Sequence, residues 1–457
     1  MAPRAGLLLA LTLAAVLRIL YFTGLQTGDD IVYSRIAVDR LNGKVGVTMT
    51  QETRAGFLLP MMVSYAVFGP GEVPLVLYNV LCSLGLVAAV GFLGRRFTDW
   101  RGATAAAMVA ACHPILVRYA SECHSDTPLA FWIALAVMAF LSALDDDPKR
   151  RLRILCGLLL GWAYLHKEST IYMGLFFAGH WAATRRDWKW YLPIAIPVVA
   201  VFVAESIGFA ALTGNPLARY AIIRHWHAGR YMAERYTTLG SILDRQFLEL
   251  PKLLFTPWYG RNGTGLINLA CLTAGAYLLW KRDLGARIAA GWFLVFYAAY
   301  CFWPSSLSPF LPGFFLFEWT LPVFGAPLAL LFGGLRGRAV VLVPVILLVS
   351  VVTLRSASDQ GAVFAAGARD ARAWLLKNPA ARVITDDKTM ENLDFFEGHR
   401  PSRQYTPFQE AKEFAGAVVI VDRFWTEQGK WWSRPAPAVP PSWRKIHETE
   451  RITIYRP

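Results

Sequence analysis

The stretch Gly28-Asp29-Asp30-Ile31-Val32-Tyr33 decides how this chain is read. An apolar run covering about residues 5–24 precedes it, and further apolar runs dominate the chain beyond it. Carboxylates beside a hydrocarbon layer are costly to keep there, since a charge loses its hydration and needs a partner or a task. Two adjacent acids at such an edge mark one membrane face as a place for polar chemistry.

The composition agrees with that setting. The chain has 457 residues, of which 55% are hydrophobic, and it carries 17 Trp, 17 Tyr and 28 Phe. With a positive mean hydropathy, this is the composition of a polytopic helical membrane protein and not of a soluble domain. The net charge of +14 is no sign of nucleic acid, which is excluded as a partner. Most of the basic excess falls in short loops between apolar runs, where it sets topology. Cys82, Cys156, Cys271 and Cys301 lie in apolar runs and read as small hydrophobes. Cys112 and Cys123 flank one loop and could pair in an oxidising compartment. The N-terminal run is long for a signal peptide and no small-residue cleavage site comes after it. It reads as a first membrane helix with its N-terminus in the cytoplasm.

Apolar segments of roughly 20 residues fall near 5–24, 73–94, 103–119, 127–144, 152–166, 169–184, 190–212, 264–280, 286–303, 312–333 and 338–354. That predicts about eleven spans. The loops that then face the cytoplasm hold Arg95, Arg96 and Arg101; Lys149 to Arg153; Arg185, Arg186 and Lys189; Lys281, Arg282 and Arg287; and Arg336 and Arg338. Each is basic, whereas the opposite short loops carry little more than Arg118 and Lys167, as the positive-inside rule requires. Residues 25–72, 213–263 and 355–457 therefore face the exterior, which is the periplasm if the membrane is a bacterial inner membrane. So do Asp126 and the pair Lys167-Glu168.

Two domains are expected. Residues 1–354 form the transmembrane part with exterior loops 25–72 and 213–263, and residues 355–457 form a small exterior α/β domain. In the latter, 371–376 reads as helix, and 381–385, 417–421 and 452–455 read as strands. Within the first exterior loop, 57–68 is apolar but too short to span and is expected to lie along the membrane surface.

The candidate site residues lie on that exterior face. Asp29 and Asp30 suit a helix start, and equally a general base in a membrane-edge cavity. Arg54, beside Glu52, would lie at headgroup height, where a guanidinium fits a phosphate through paired hydrogen bonds. Asp126, two residues before Pro128, reads as a helix cap that can also hold a cation or a hydroxyl. Lys167-Glu168 sits between two apolar spans, and the four-residue spacing of Gly157 and Gly161 suits close helix packing. Arg224, His225 and His227 lie in a loop rich in aromatic and basic residues, as at an anionic interface. His225 and His227, if extended, could share a metal with Glu52 or an Asp. No P-loop, G-x-S-x-G, H-E-x-x-H or paired C-x-x-C pattern is present.

Taken in order, these motifs resemble the GT-C membrane glycosyltransferases, in particular bacterial protein O-mannosyltransferases and the aminoarabinose transferases that modify lipid A. The resemblance rests on Asp29-Asp30-Ile31-Val32-Tyr33, on Arg54-Ala55-Gly56-Phe57 opening a helix to Phe68, and on Asp126-Thr127-Pro128-Leu129. It also rests on the glycine-bearing span from Gly157 to Lys167-Glu168 and on Leu212-Thr213-Gly214-Asn215-Pro216-Leu217. It covers roughly residues 1–220. Later the chain departs from the pattern, because Glu318 precedes Pro322 where a basic residue and a Tyr are usual.

The resemblance implies a polyprenyl-phosphate sugar donor, transfer with inversion on the exterior face, and a lipid, protein or glycan acceptor. Asp29 would be the general base, with Asp30 and Asp126 shaping the site or holding a cation. Arg54 and Lys167 would neutralise the donor phosphate, and Tyr33, Glu52, Glu168, Arg224, His225 and His227 would support them. Metal use varies across these families, so a divalent cation stays open. The rival readings are a lipid or polysaccharide transporter, which should hold its charges at mid-membrane, and a non-catalytic membrane scaffold.

Overall fold

The computed structural model describes residues 3–145, 150–229, 238–256, 261–307, 310–312, 320–361, 364–400, 402–427 and 438–457. It is a helical membrane protein with a small C-terminal α/β sheet domain. The first eleven helices are α1 (Pro3–Leu20), α2 (Asp29–Leu41), α3 (Ala55–Phe68), α4 (Glu72–Phe97), α5 (Trp100–Cys112), α6 (Pro114–Arg118), α7 (Asp126–Asp145), α8 (Arg150–His166), α9 (Met173–Thr184), α10 (Leu192–Thr213) and α11 (Ala218–Gly229).

The chain divides into two compact units: Met1–Phe22, Gly46–Leu58 and Tyr78–Ala357 form the larger, and Thr23–Val45, Leu59–Leu77 and Ser358–Pro457 the smaller. The expected boundary near residue 355 therefore marks the C-terminal portion only. Residues 23–45 and 59–77 also fold with the smaller unit. The reason lies in α2, whose buried residues Ile31, Tyr33, Ile36 and Ala37 need a partner, and α2 packs against the helix Asp387–Phe396.

Among the described residues of the whole chain, six helices are long and apolar enough to cross a membrane: Glu72–Phe97, Asp126–Asp145, Trp188–Thr213, Gly263–Trp280, Leu284–Phe302 and Gly337–Ser356. The other expected spans fall on shorter helices. The segment near 103–119 breaks into α5 and α6 because Pro114 cannot donate to the preceding turn and disfavours helical geometry at His113. Among the described residues of the segment near 312–333, α-helix covers Pro322–Gly333, and an antiparallel hairpin of β1 (Pro304–Leu307) and β2 (Phe310–Pro312) lies earlier in the chain. Phe317, Glu318 and Trp319 lie outside the described residues. Cys112 and Cys123, like the other four cysteines, are buried.

Small residues set how closely the helices of the larger unit approach. Apolar surface already in lipid gains nothing from the hydrophobic effect on packing, so close backbone contact must supply the attraction. The Ala-rich α5 is buried from Ala105 to Cys112 and packs on α1 and on Pro322–Gly333. A Cβ on Gly102 would meet the Gly333 carbonyl at 2.5 Å, and one on Gly333 would meet the Gly102 carbonyl at 2.6 Å. The pair Gly157 and Gly161 does the same between α8 and α10: a Cβ on Gly157 would collide with the Ile194 carbonyl, and one on Gly161 would sit 2.7 Å from Val201. Gly157→Ala is therefore expected to force α8 from α10 at a cost of about 1–3 kcal/mol or more, seen as a lower melting temperature in detergent. Gly174→Ala, with nothing within 4 Å of the new Cβ, should melt like wild type. On the outer side, Val341, Val345, Leu348 and Val352 form an exposed stripe at helical spacing, as expected of a lipid-facing surface.

In the smaller unit a five-stranded sheet has the order β4-β3-β5-β7-β6. Its strands are β3 (Arg382–Thr385), β4 (Gln404–Pro407), β5 (Val418–Asp422), β6 (Arg444–Glu448) and β7 (Ile452–Arg456). β3 runs parallel to β4 and β5, and β5 and β6 run antiparallel to β7. The three strands legible in the sequence are the central ones. Val383, Ile420, Ile452 and Ile454 pack on Ala371 and Leu375 of the helix Ala366–Lys377, and Ile384 and Val419 pack on Phe408. The two strands not expected are the edges, short and polar as edges tend to be.

Candidate functional site

Within the larger unit, a buried group of acids and cations forms where α7, α8, α11 and the 3-10 turn Thr50–Thr53 come together. Asp126 opens α7, and Lys167 comes directly after the last residue of α8. The Lys167 ammonium donates to both carboxylate oxygens of Asp126, at 2.7 and 3.0 Å. The Asp126 side chain is 2% exposed and that of Lys167 12%, so water contributes little to either charge. An ammonium has three donors, and Asp126 takes two of them.

Glu168 is half-buried, with one carboxylate oxygen shielded from water, and that desolvation alone would raise its carboxyl pKa. The neighbouring cations Arg54, Arg219 and Lys167 outweigh burial and hold it down at about 2. Glu168 is thus a fixed anion at any ordinary pH. Arg219 is the most connected of these cations. It is 1% exposed, pairs with Glu205 at 3.1 Å, and lies 4.7 Å over the Tyr164 ring. Its Nη1 donates to the Tyr164 carbonyl at 3.0 Å and its Nη2 to the Thr53 carbonyl at 3.0 Å. One guanidinium thus fastens the turn before Arg54 to the end of α8. Gly56 allows that approach, since a Cβ there would lie 2.7 Å from His166 Nδ1. His166 in turn meets the Tyr78 hydroxyl at 2.7 Å, which also accepts from Trp132 Nε1 at 2.8 Å.

The loop before Asp126 is equally tied. Asn79 donates to the carbonyls of Glu122 and His124 at 2.6 and 2.8 Å, and Arg118 donates to Glu122 at 2.7 Å. Among the described residues, the buried hydroxyls of Ser125, Ser169 and Tyr300 and one oxygen of Glu168 make no hydrogen bond that meets normal geometry.

The sequence candidates fall into several environments. Asp126, Lys167, Glu168 and Arg54 belong to this group. Glu52 does not: its carboxylate accepts from Thr48 Oγ1 at 3.0 Å and from Met49 N at 2.7 Å, closing its own turn. Arg224 and His225 are exposed on α11. His227 lies in the same helix, with its side chain outside the described residues. A shared metal required an extended chain at His225 and His227, but two residues apart on a helix they diverge by about 200°. Among the described residues no three His, Cys, Asp or Glu side chains form a metal centre. Asp126 is already held by Lys167, so these residues do not present a donor set for a divalent ion.

Asp29, Asp30 and Tyr33 are in the smaller unit. The two acids form the first turn of α2, where the helix dipole favours negative charge. Asp30 is 1% exposed and accepts from Gln26 N at 2.9 Å. Asp29 is only half-buried, and Tyr33 is fully buried. Sequence reading missed Arg219, Glu205, Ser169 and Tyr300. Arg219 had a signal, since it lies just past the 212–217 run, but it resembled the other basic residues of its loop.

Comparison with known proteins agrees with this architecture. Residues 57–209 match the family described as dolichyl-phosphate-mannose-protein mannosyltransferase. No curated protein sequence matches the chain. The crystal structure of ArnT from Cupriavidus metallidurans in the apo state aligns over 100% of this chain and 98% of its own, with a TM-score of 0.63 at 15% identity. The same protein bound to undecaprenyl phosphate aligns over 98% and 97%, with a TM-score of 0.62 at 16% identity. The Archaeoglobus fulgidus oligosaccharyltransferase in complex with Zn and sulfate aligns over 93% of this chain and 68% of its own, with a TM-score of 0.55 at 15% identity. The chain thus has the fold of the GT-C membrane glycosyltransferases and carries, over residues 57–209, the sequence pattern of the dolichyl-phosphate-mannose-protein mannosyltransferase family.

Proposed function

We propose that the protein is a membrane glycosyltransferase that moves a sugar from a polyprenyl-phosphate donor to an acceptor hydroxyl on the exterior face of a bacterial inner membrane. The observation that carries this reading is the buried group of Arg54, Lys167 and Arg219 with Asp126 and Glu168. Support comes from a similar fold that binds undecaprenyl phosphate. In the reaction the acceptor oxygen attacks the anomeric carbon and its proton passes to a base. The sugar–phosphate C–O bond breaks, its electron pair stays on the phosphate, and the configuration inverts. Charge gathers on the leaving phosphate, and fixed cations stabilise that charge without reorganising. Lys167, with its third donor, and Arg54 take this task.

Asp29 is the base in this proposal. It is the more exposed acid of the pair, while Asp30 spends an oxygen on its own loop. Asp29→Asn is expected to lower polyprenyl phosphate release by about 10²–10⁴-fold without changing the melting temperature. The assay uses purified protein in nanodiscs with a panel of polyprenyl-phosphate sugars. Equal release from variant and wild type would remove Asp29 from the mechanism. The sugar and acceptor would be read from which members of the panels turn over.

A further inference from the structure

The approach to the acid pair is strained. Thr27 has φ 70 and Gly28 has φ 82, two left-handed residues in succession. Glycine adopts this region freely, but a β-branched residue there is an outlier that surrounding contacts must hold in place. Two contacts act on this loop from opposite sides. Gln26 N donates to Asp30 Oδ2 at 2.9 Å. The Thr27 hydroxyl donates at 2.9 Å to Oδ1 of Asn392, a fully buried residue of the helix Asp387–Phe396.

That helix and the turn after it grip α2 twice more. Asp394 accepts from Arg35 at 2.8 Å and meets His399 Nδ1 at 2.9 Å, and His399 Nε2 meets the Ser34 hydroxyl at 2.8 Å. The turn is itself left-handed at Gly398 (φ 68) and His399 (φ 56). Ser34, His399 and Asp394 have the spacing of a hydrolytic triad. Ser34 is fully buried, however, and shares its oxygen with the Tyr65 hydroxyl at 2.7 Å, so the group acts as a bracket. A last tie comes from Glu72, which accepts from Leu25 N at 3.0 Å and from Arg369 at 2.6 Å.

We propose that the Thr27–Asn392 hydrogen bond is a latch through which the C-terminal domain holds the acid-pair loop in its reactive conformation, making Thr27 and Asn392 positioning residues for transfer. This deepens the proposed function and rests on the acid pair supplying the base. The hydroxyl of Thr27 ties its left-handed backbone down, and the partner comes from the C-terminal domain. A merely structural contact would lower stability when lost. A positioning contact lowers rate even where the fold gains stability.

The test uses the full chain in nanodiscs with undecaprenyl-phosphate sugars and has two readouts. Thr27→Gly removes both the strain and the hydroxyl. It is expected to melt at or above the wild-type temperature, yet to lose about 10- to 100-fold in kcat with the donor KM unchanged. Asn392→Leu should lose a similar factor, the double variant no more than either single, and Thr27→Ser should keep the wild-type rate. Hydrogen–deuterium exchange of residues 25–32 should quicken in Thr27→Gly and Asn392→Leu but not in Thr27→Ser. Unchanged exchange would overturn the latch, and quickened exchange with wild-type kcat would overturn its positioning role. Full activity in Asp29→Asn, by contrast, would remove the base assignment while the exchange result still decided whether the latch exists.

Discussion

Lys167→Met is expected to abolish turnover while leaving a protein that can be rescued in stability but not in rate. The substitution leaves Asp126 as a carboxylate only 2% exposed without its cation. Breaking a buried pair from one side costs about 3–5 kcal/mol, whereas removing both charges is often close to neutral. The melting temperature should therefore fall in Lys167→Met and recover much of the loss in the double variant Lys167→Met/Asp126→Leu. Release of polyprenyl phosphate should fall by about 10²–10³-fold in the single variant and stay low in the double. Measuring both quantities across the cycle separates the cation's two roles. Recovery of the rate together with the melt would mean that Lys167 only neutralises Asp126.

Arg219→Met should give a loss of stability as large as that of Lys167→Met. The guanidinium satisfies two backbone carbonyls and a carboxylate from three separate parts of the chain, and its loss strands Glu205. A cost of about 3–5 kcal/mol corresponds to a fall in melting temperature on the order of 10 °C. Arg219→Lys should restore little, because one ammonium cannot reach the positions of Nη1 and Nη2 together. There is also a signature in acid. Glu168 has a depressed pKa in the folded protein, so its contribution to stability is complete above about pH 4.5 and is lost as pH falls toward about 2. With Arg219 gone, the Glu168 pKa rises toward its ordinary value. Stability between pH 5 and pH 3 should then fall less steeply in Arg219→Met than in wild type. Parallel slopes would mean that Arg219 does not act on Glu168.

The sequence made visible what repeats and what is dear. Apolar runs of spanning length exposed the long helices, and charges that lipid does not tolerate exposed Asp126, Lys167 and Glu168. It was less informative wherever polar groups find partners far along the chain. Arg219 read as one basic residue among several, since nothing local shows that its guanidinium reaches Thr53. Glu52 read as a site residue, and the contacts it makes to Thr48 and Met49 of its own turn were not legible in the sequence. The stretch around 304–312 read as an uncharged loop because hydropathy cannot register a hairpin there. The edge strands β4 and β6 were invisible because an edge strand needs few apolar residues. The domain boundary was half legible, since composition changes near residue 355 but nothing in residues 23–45 announces a partner so distant.

That distance has a consequence for biosynthesis. Thr27 and Asn392 are separated by 365 residues, and a ribosome adding roughly 5–20 residues per second needs about 20–70 s to make the interval. Throughout that time the acid-pair loop has been made but its partners have not. The loop gains these contacts only when the C-terminal portion from Ser358, about the last fifth of the chain, has been made and folded. If the acid pair supplies the base as proposed, a copy made only as far as α11 would lack the Asn392, Asp394 and His399 contacts that set the loop, and its order of synthesis would time its chemistry.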